Sequence, residues 1–147
     1  GEGSDKKWLI NQIKENDLKN YFEILDKFPL ERMPSFFAHA DTLLVSLRGN
    51  HEVFKMTIPG KVQTYLASGI PILGMIDGEG ALVIKESNAG YVCKAGDYKG
   101  LAKLIIKMSK LNKHNKLLLG NNGIRYCEEK FNKNALIDQL QSIIHEL

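Results

Sequence analysis

The chain has 147 residues, 44% of them hydrophobic and 25% charged, and its 20 basic and 17 acidic side chains give a net charge of +3. This length fits one domain with its own hydrophobic core, and the lysines, spread among glutamates and asparagines, form no basic stripe of the kind that nucleic-acid-binding proteins show. No apolar run approaches the roughly 18 to 20 residues that span a bilayer, and residues 1–6 do not form a signal peptide.

The first third of the chain predicts a helix, a short strand and a second helical stretch. Ser4 or Asp5 can cap the first helix, residues 21–25 read as the strand, and Pro29 opens the second helical stretch, which Pro34 breaks or restarts. Apolar residues recur near helical spacing along the first helix at Trp8, Leu9, Ile13 and Leu18.

The middle of the chain predicts two buried strands with a helix between them. Residues 42–47 form an apolar run too continuous for a half-exposed strand. A polar loop at 48–52 follows, and then a helix over 59–68 that Gly69 ends. Residues 70–75 read as the second strand.

The last part of the chain predicts a helix over 80–86, a weak strand at 91–93, and three helical segments that begin at the N-cap Asp97. Short apolar strands that alternate with helices imply an α/β fold, a parallel sheet with helices on both faces. Gly1-Glu2-Gly3 resembles a turn that follows a strand, so we expect the chain to begin in mid-fold. A homodimer or strand exchange would protect the sheet edge exposed in this way.

Two cysteines offer no metal-ligand spacing. Cys93 falls in a predicted strand and Cys127 in a predicted helix, so two buried free thiols in a reducing cytosol are the simplest interpretation. The chain also has no Asp-x-Asp motif, no His/Cys cluster and no Walker-type loop, so neither a metal nor a cofactor is indicated.

The segment from Thr57 to Leu66 has the chemistry of an anion site. Pro59 has the preset φ of a first helical residue, and Gly60 lets a ligand approach the backbone. The free amides of the first turn and the helix dipole favour an anion, to which Lys61 adds a full positive charge. Thr64 falls near the same face, one turn on. An ordinary helix start with a solvated lysine is the alternative.

The residues of this segment also resemble a known family. Thr57-Ile58-Pro59-Gly60-Lys61, followed by the run from Tyr65 to Leu73, is similar to the donor-site segment of the retaining glycosyltransferases with two Rossmann-like domains (the GT-B fold). Within that family, the Pro-x-Lys helix start and Asp77-Gly78-Glu79-Gly80 are most similar to O-antigen N-acetyl-L-fucosamine transferases. Other matching pieces, in order, are Gly1-Glu2-Gly3, Ala40-Asp41, the run from Ala89 to Val92, and Gly96-Asp97.

The resemblance implies that residues 1–147 are a single nucleotide-sugar-binding C-terminal domain, truncated at its N-terminus. A UDP-sugar would be the donor. A lipid-linked or glycan acceptor would bind to an N-terminal domain absent from this chain, and the protein would be cytoplasmic or peripheral at the inner membrane face. The fragment alone would not catalyse transfer.

The resemblance also assigns site residues. Lys61 and the amides of Gly60 and Lys61 would bind the diphosphate and Thr64 the ribose. Arg48 and Glu79 would be secondary contacts, with a solvated arginine and a helix-start glutamate as the alternatives. The family's two glutamates fall at Met56 and Thr64, so neither is acidic here. Gln63 beside Thr64, and Glu52 in the preceding loop, are candidates to replace them.

Two other functions stay open at this point. A non-hydrolysing UDP-sugar 2-epimerase uses a related two-domain fold, but it needs acidic and basic catalytic groups that the sequence does not show. A non-catalytic flavodoxin-like binding module would have the same alternation of strands and helices. A receiver domain of that type needs an acidic pair after its strands, where this chain has Arg48.

Overall fold

The computed structural model describes residue 3 and residues 5–47 and 52–146, with the exception of the Phe54 side chain. The predicted turn at residues 1–3, apart from Gly3, and the predicted loop residues 48–51 therefore lie outside the described residues. The chain divides into two compact units, residues 1–36 and residues 37–147.

The first unit is helical. Helix α1 covers Lys6–Glu15, with Asp5 at its N-cap position, and Ile13 is its buried residue. A 3-10 turn, Leu30–Arg32, leads into helix α2, Met33–Phe37, which runs to the boundary of the unit. Pro34 therefore lies in the first turn of α2, where its missing N–H costs nothing.

Two predictions for the first unit are wrong. Residues 21–25 form no strand, because no described strand pairs with them, and Tyr21 is 80% exposed. The apolar composition of this segment indicated a strand, but a strand also needs a hydrogen-bonding neighbour. Trp8, a large aromatic residue of α1, is most simply interpreted from the sequence as a core residue, but it is 64% exposed.

The second unit contains a three-stranded parallel sheet. Strands β1 (Leu43–Ser46), β2 (Ile72–Met75) and β3 (Gly90–Cys93) lie in the order β1-β2-β3, with Leu43 opposite Ile72 and Ile72 opposite Gly90. The second, third and fourth predicted strands are thus confirmed, and so is the parallel sheet.

Helices connect the strands and continue after them. Helices α3 (Glu52–Lys55) and α4 (Gly60–Ser68) join β1 to β2, and α5 (Gly78–Glu86) joins β2 to β3. Helices α6 (Tyr98–Ser109), α7 (Lys113–Lys130) and α8 (Lys133–His145) follow β3. The three predicted C-terminal helices are confirmed, and Asp97 caps α6 by accepting a hydrogen bond from the Gly100 amide at 2.8 Å.

Helices cover both faces of the sheet. On one face, Val62 and Leu66 of α4 and Ile84 of α5 are 0–1% exposed and pack on Val45 and Ile72. Side chains alternate along a strand, so Tyr91 points to the face opposite Val92. Lys107 of α6 lies 3.8 Å from the centre of the Tyr91 ring, which places α6 on that second face.

Strand β1 is less buried than its sequence predicts. Leu43 and Val45 are buried, but Leu44 between them is 47% exposed. The apolar run at 42–47 predicted burial on both faces, whereas α6 lies against β2 and β3 and leaves this part of the second face open. Both cysteines are free but half-buried, so their predicted complete burial is wrong.

Among the described residues, no helix combines the length and the apolar character needed to cross a bilayer.

Candidate functional site

The strands present their carboxyl ends at one edge of the sheet, and this edge is where ligands bind in open α/β folds. Because β1, β2 and β3 are parallel, the segments that follow them emerge side by side. The N-termini of α4, α5 and α6 therefore lie along the same edge, and each brings the positive end of a helix dipole.

Helix α4 begins one residue later than predicted, because Pro59, expected as the first helical residue, is extended rather than helical. Pro59 occupies the N-cap position and its carbonyl accepts a hydrogen bond from the Val62 amide at 2.8 Å. The amides of Gly60 and Lys61 precede this bond and have no partner among the described residues. A Cβ atom added at Gly60 would meet no atom within 4 Å, so the space beside this turn is open. Gly69 ends the helix in the left-handed conformation, with φ of 70°.

The exposed face of α4 carries both of its predicted ligands. Lys61 and Thr64 are three residues apart, so they lie on the same face of the helix, and both are exposed. Thr64 donates its hydroxyl hydrogen to the Gly60 carbonyl at 3.0 Å. Its oxygen therefore remains free to accept a hydrogen bond. Lys61 has no ion pair among the described residues.

The start of α5 packs directly against the start of α4. A Cβ atom added at Gly80 would lie 2.8 Å from Pro59 Cδ and 3.0 Å from Ile76 Cδ1. Only glycine permits this approach, which brings Glu79, exposed in the first turn of α5, to the same region as Gly60 and Lys61.

The turn before α5 packs against α3. Gly78 has φ of 69°, and a Cβ atom added there would collide with the backbone carbonyl of Lys55. Lys55 forms an ion pair with Glu52 at 2.7 Å. The hydrogen bond and the charge of Glu52, with a smaller contribution from Asp77, raise the pKa of Lys55. Gly78 thus holds the segment that leads into α4 against the β2–α5 turn.

Asp77 joins the β2–α5 turn to the loop after β3. Its Oδ1 accepts a hydrogen bond from the Ala95 amide at 3.3 Å. A cleft of about 550 Å³ lies beside this link, between one face of α5 and the start of α6. Cys93 lines the cleft, and burial, followed by the charge of Asp97, raises the pKa of its thiol, so the neutral thiol predominates at neutral pH.

The structure brings four of the five predicted site residues close together. Gly60, Lys61, Thr64 and Glu79 lie on neighbouring helix starts in one unit. Arg48 lies outside the described residues. Glu52, the candidate to replace the family's first glutamate, is paired with Lys55, and Met56 is 77% exposed.

Sequence reasoning did not identify the roles of Asp77 and Lys55. Asp77 had a usable signal, since an acidic residue directly after a buried strand falls at the ligand-binding edge of a parallel sheet. Lys55 had none, because its contacts with Gly78 and Asp77 join segments more than 20 residues apart. Within the described parts of the chain, no three His, Cys, Asp or Glu side chains group as a metal site.

The chain has one family match. The sequence model described as glycosyl transferases group 1 matches residues 1–125, which include all three strands and the starts of α4, α5 and α6. No curated protein shows significant sequence similarity to the chain.

Proposed function

The chain belongs to the group 1 glycosyl transferases, and from this premise we propose that the start of α4 holds the diphosphate of a UDP-sugar donor. The family transfers sugars from activated donors to acceptors. The observation that supports the location most is the open space beside Gly60, next to the exposed Lys61. The amides of Gly60 and Lys61 and the Lys61 side chain have no partner in the described part of the chain.

The diphosphate would bind here for electrostatic reasons. The amides of Gly60 and Lys61 and the α4 dipole favour an anion, and the neighbouring start of α5 adds a second positive helix end within contact of Pro59. In transfer, negative charge grows on the leaving diphosphate, so fixed positive groups stabilise the transition state more than the ground state. Lys61 would supply the only full charge of this set.

Thr64 would bind the ribose. Since its hydroxyl hydrogen is donated to the Gly60 carbonyl, its oxygen can act only as an acceptor toward a ribose hydroxyl. The glutamate that the family usually has at this position would also accept a hydrogen bond from the ribose, although a neutral acceptor makes the weaker hydrogen bond. Thr64 would thus preserve the direction of that hydrogen bond.

Glu79 would accept a hydrogen bond from a hydroxyl of the donor. The α5 dipole stabilises its charge, and its carboxylate would repel a phosphate, so a hydroxyl is the fitting partner. Arg48 is proposed as a further contact from the loop after β1, on the strength of the family resemblance alone.

The finer identity of the reaction rests on the same resemblance. We propose transfer with retention from UDP-N-acetyl-L-fucosamine or a related UDP-sugar to a growing surface polysaccharide. The acceptor would be lipid-linked or a glycan and would bind to a separate N-terminal domain. The complete enzyme would work at the inner face of the cytoplasmic membrane, and residues 1–147 alone would bind the donor without catalysing transfer.

A nucleotide titration tests the donor site. We expect UDP and UDP-sugars to shift the backbone amide resonances of Gly60, Lys61 and Thr64 in ¹H–¹⁵N spectra, and GDP-sugars to shift them less. Uridine, which lacks the diphosphate, should leave Gly60 and Lys61 unchanged. The proposal fails if these three amides stay unperturbed at millimolar UDP in both this chain and the complete enzyme.

The variant Lys61→Ala tests the role of the charge. Hydrogen bonds to charged groups contribute roughly 1.5 to 3 kcal/mol, so we expect the dissociation constant for UDP to rise by about 10- to 100-fold. Calorimetric titration measures it. Lys133→Ala is the matched control, because Lys133 is an exposed lysine at the start of another helix. Equal UDP affinity in the wild-type chain and Lys61→Ala would remove Lys61 from the diphosphate site.

A further inference from the structure

Although we expected the lysines to be spread among glutamates and asparagines, residues 98–116 carry a concentration of positive charge. Six lysines fall in this segment, and it contains no aspartate or glutamate. The other 14 basic side chains of the protein are outnumbered by its 17 acidic ones, so the positive charge of the protein is concentrated in α6 and the start of α7. The lysines of the segment are Lys99, Lys103, Lys107, Lys110, Lys113 and Lys116.

Three of these six lysines form one exposed surface of α6. Lys99, Lys103, Ile106 and the C-cap residue Lys110 are spaced by four, three and four residues, so they lie on one stripe along α6 and its C-cap. We call these four residues the α6 basic face. The three lysines are exposed and have no ion pair among the described residues. By contrast, Lys107 lies over the Tyr91 ring, and Lys116 forms an ion pair with Asp41.

The α6 basic face points away from the sheet. Leu101, Leu104 and Met108, spaced by three and four residues, occupy the opposite side of the helix, and Met108 is 2% exposed. Packing of α6 on β2 and β3 therefore already accounts for its inner side. It does not account for Ile106, which is 54% exposed at the centre of the lysine stripe.

We propose that the α6 basic face binds the surface of an anionic lipid bilayer. Each lysine held near such a surface gains attraction from the negative headgroups, and an exposed isoleucine among the lysines can enter the boundary between headgroups and acyl chains. This combination fits a bilayer better than a nucleic acid. Isoleucine adds nothing to a phosphate contact, and residues 98–116 contain no arginine, the side chain best suited to bidentate phosphate recognition.

This inference names the surface for the membrane location given under the proposed function, and it is independent of the donor site. Helix α6 lies on the second face of the sheet, with its basic face turned outward, whereas α4 packs on the first face. Variants in α6 should therefore leave the UDP titration unchanged, and loss of donor binding in Lys61→Ala should leave vesicle binding unchanged. Failure of one proposal can thus be told from failure of the other.

The test is vesicle flotation of the purified chain with phosphatidylcholine vesicles that contain or lack phosphatidylglycerol. We expect binding only to the anionic vesicles and a loss of binding as salt is raised. The triple variant Lys99→Glu, Lys103→Glu, Lys110→Glu should partition on the order of 100-fold less. Its matched control is Lys14→Glu, Lys130→Glu, Lys133→Glu, which has the same net charge from exposed lysines elsewhere and should bind close to the wild type.

The variant Ile106→Ser separates the contribution of the apolar side chain to vesicle binding from that of the lysine charges. Losing the isoleucine should weaken binding to anionic vesicles by about fivefold, whereas Ile137→Ser, which changes an exposed isoleucine of α8, should not. The proposal is overturned if the wild-type chain ignores anionic vesicles, or if the two triple variants lose binding equally. It is also overturned if the α6 triple variant reduces binding to a single-stranded nucleic acid more than binding to vesicles. Circular dichroism checks that each variant is folded.

Discussion

Replacing Gly120 by alanine is expected to lower the free energy of unfolding by about 3 kcal/mol. Gly120 is buried in α7, and a Cβ atom there would collide with the carbonyl oxygen of Gly69, at the end of α4. The obstacle is backbone, so no side-chain rotation can relieve it. Gly69 itself has φ of 70°, and α7 would have to move away from α4 as a whole.

The sign of the change makes this test informative. In an exposed helix interior, glycine to alanine stabilises by about 1 kcal/mol, so destabilisation reports the contact between α7 and α4. Asn121→Ala is the control, since Asn121 is the next residue of α7 and is exposed. Urea denaturation followed by circular dichroism measures both variants. A Gly120→Ala variant as stable as Asn121→Ala would mean that α7 does not pack on α4 as described.

Local signals predicted the second unit well because its elements depend on neighbouring residues. Pro59 and Gly69 mark the two ends of α4, and the Asp97 side chain caps α6. Each of these effects acts within about one turn of the chain, so the sequence contains all the information needed. The same holds for the position of Lys61 and Thr64 on one face of α4, which follows from helical spacing alone.

Features that depend on distant residues could not be predicted in this way. Residues 21–25 have the composition of a strand but no described neighbour to pair with, and the exposure of Leu44 depends on where α6 packs. At the candidate site, Gly80 and Pro59 are 21 positions apart, yet their contact places Glu79 near the start of α4. The sequence named the candidate ligands, while their grouping depends on contacts that only the folded chain shows.

Replacing Gly78 by alanine should damage both stability and donor binding. Two costs add at this position. An alanine at φ of 69° is strained by roughly 1 to 2 kcal/mol. Its Cβ atom would also collide with the Lys55 carbonyl, and we expect this collision to cost about 2 kcal/mol more. Relief of the collision would displace α3 from the β2–α5 turn, and with it the segment that leads into Gly60 and Lys61.

Gly96→Ala separates the two costs. Gly96 also has a positive φ, 79°, but a Cβ atom there would meet nothing within 4 Å, so this variant carries the strain without the collision. We expect Gly96→Ala to bind UDP like the wild type and to lose about 1 kcal/mol of stability.

Gly78→Ala should lose more stability than Gly96→Ala. In this variant, UDP should no longer shift the Lys61 amide resonance, under conditions where circular dichroism shows a folded chain. Because α3 and α4 are joined by only a few residues, such a result would mean that the β2–α5 turn positions the donor site. If Gly78→Ala instead matched Gly96→Ala in both stability and UDP binding, the contact with Lys55 would have no part in holding the α4 start.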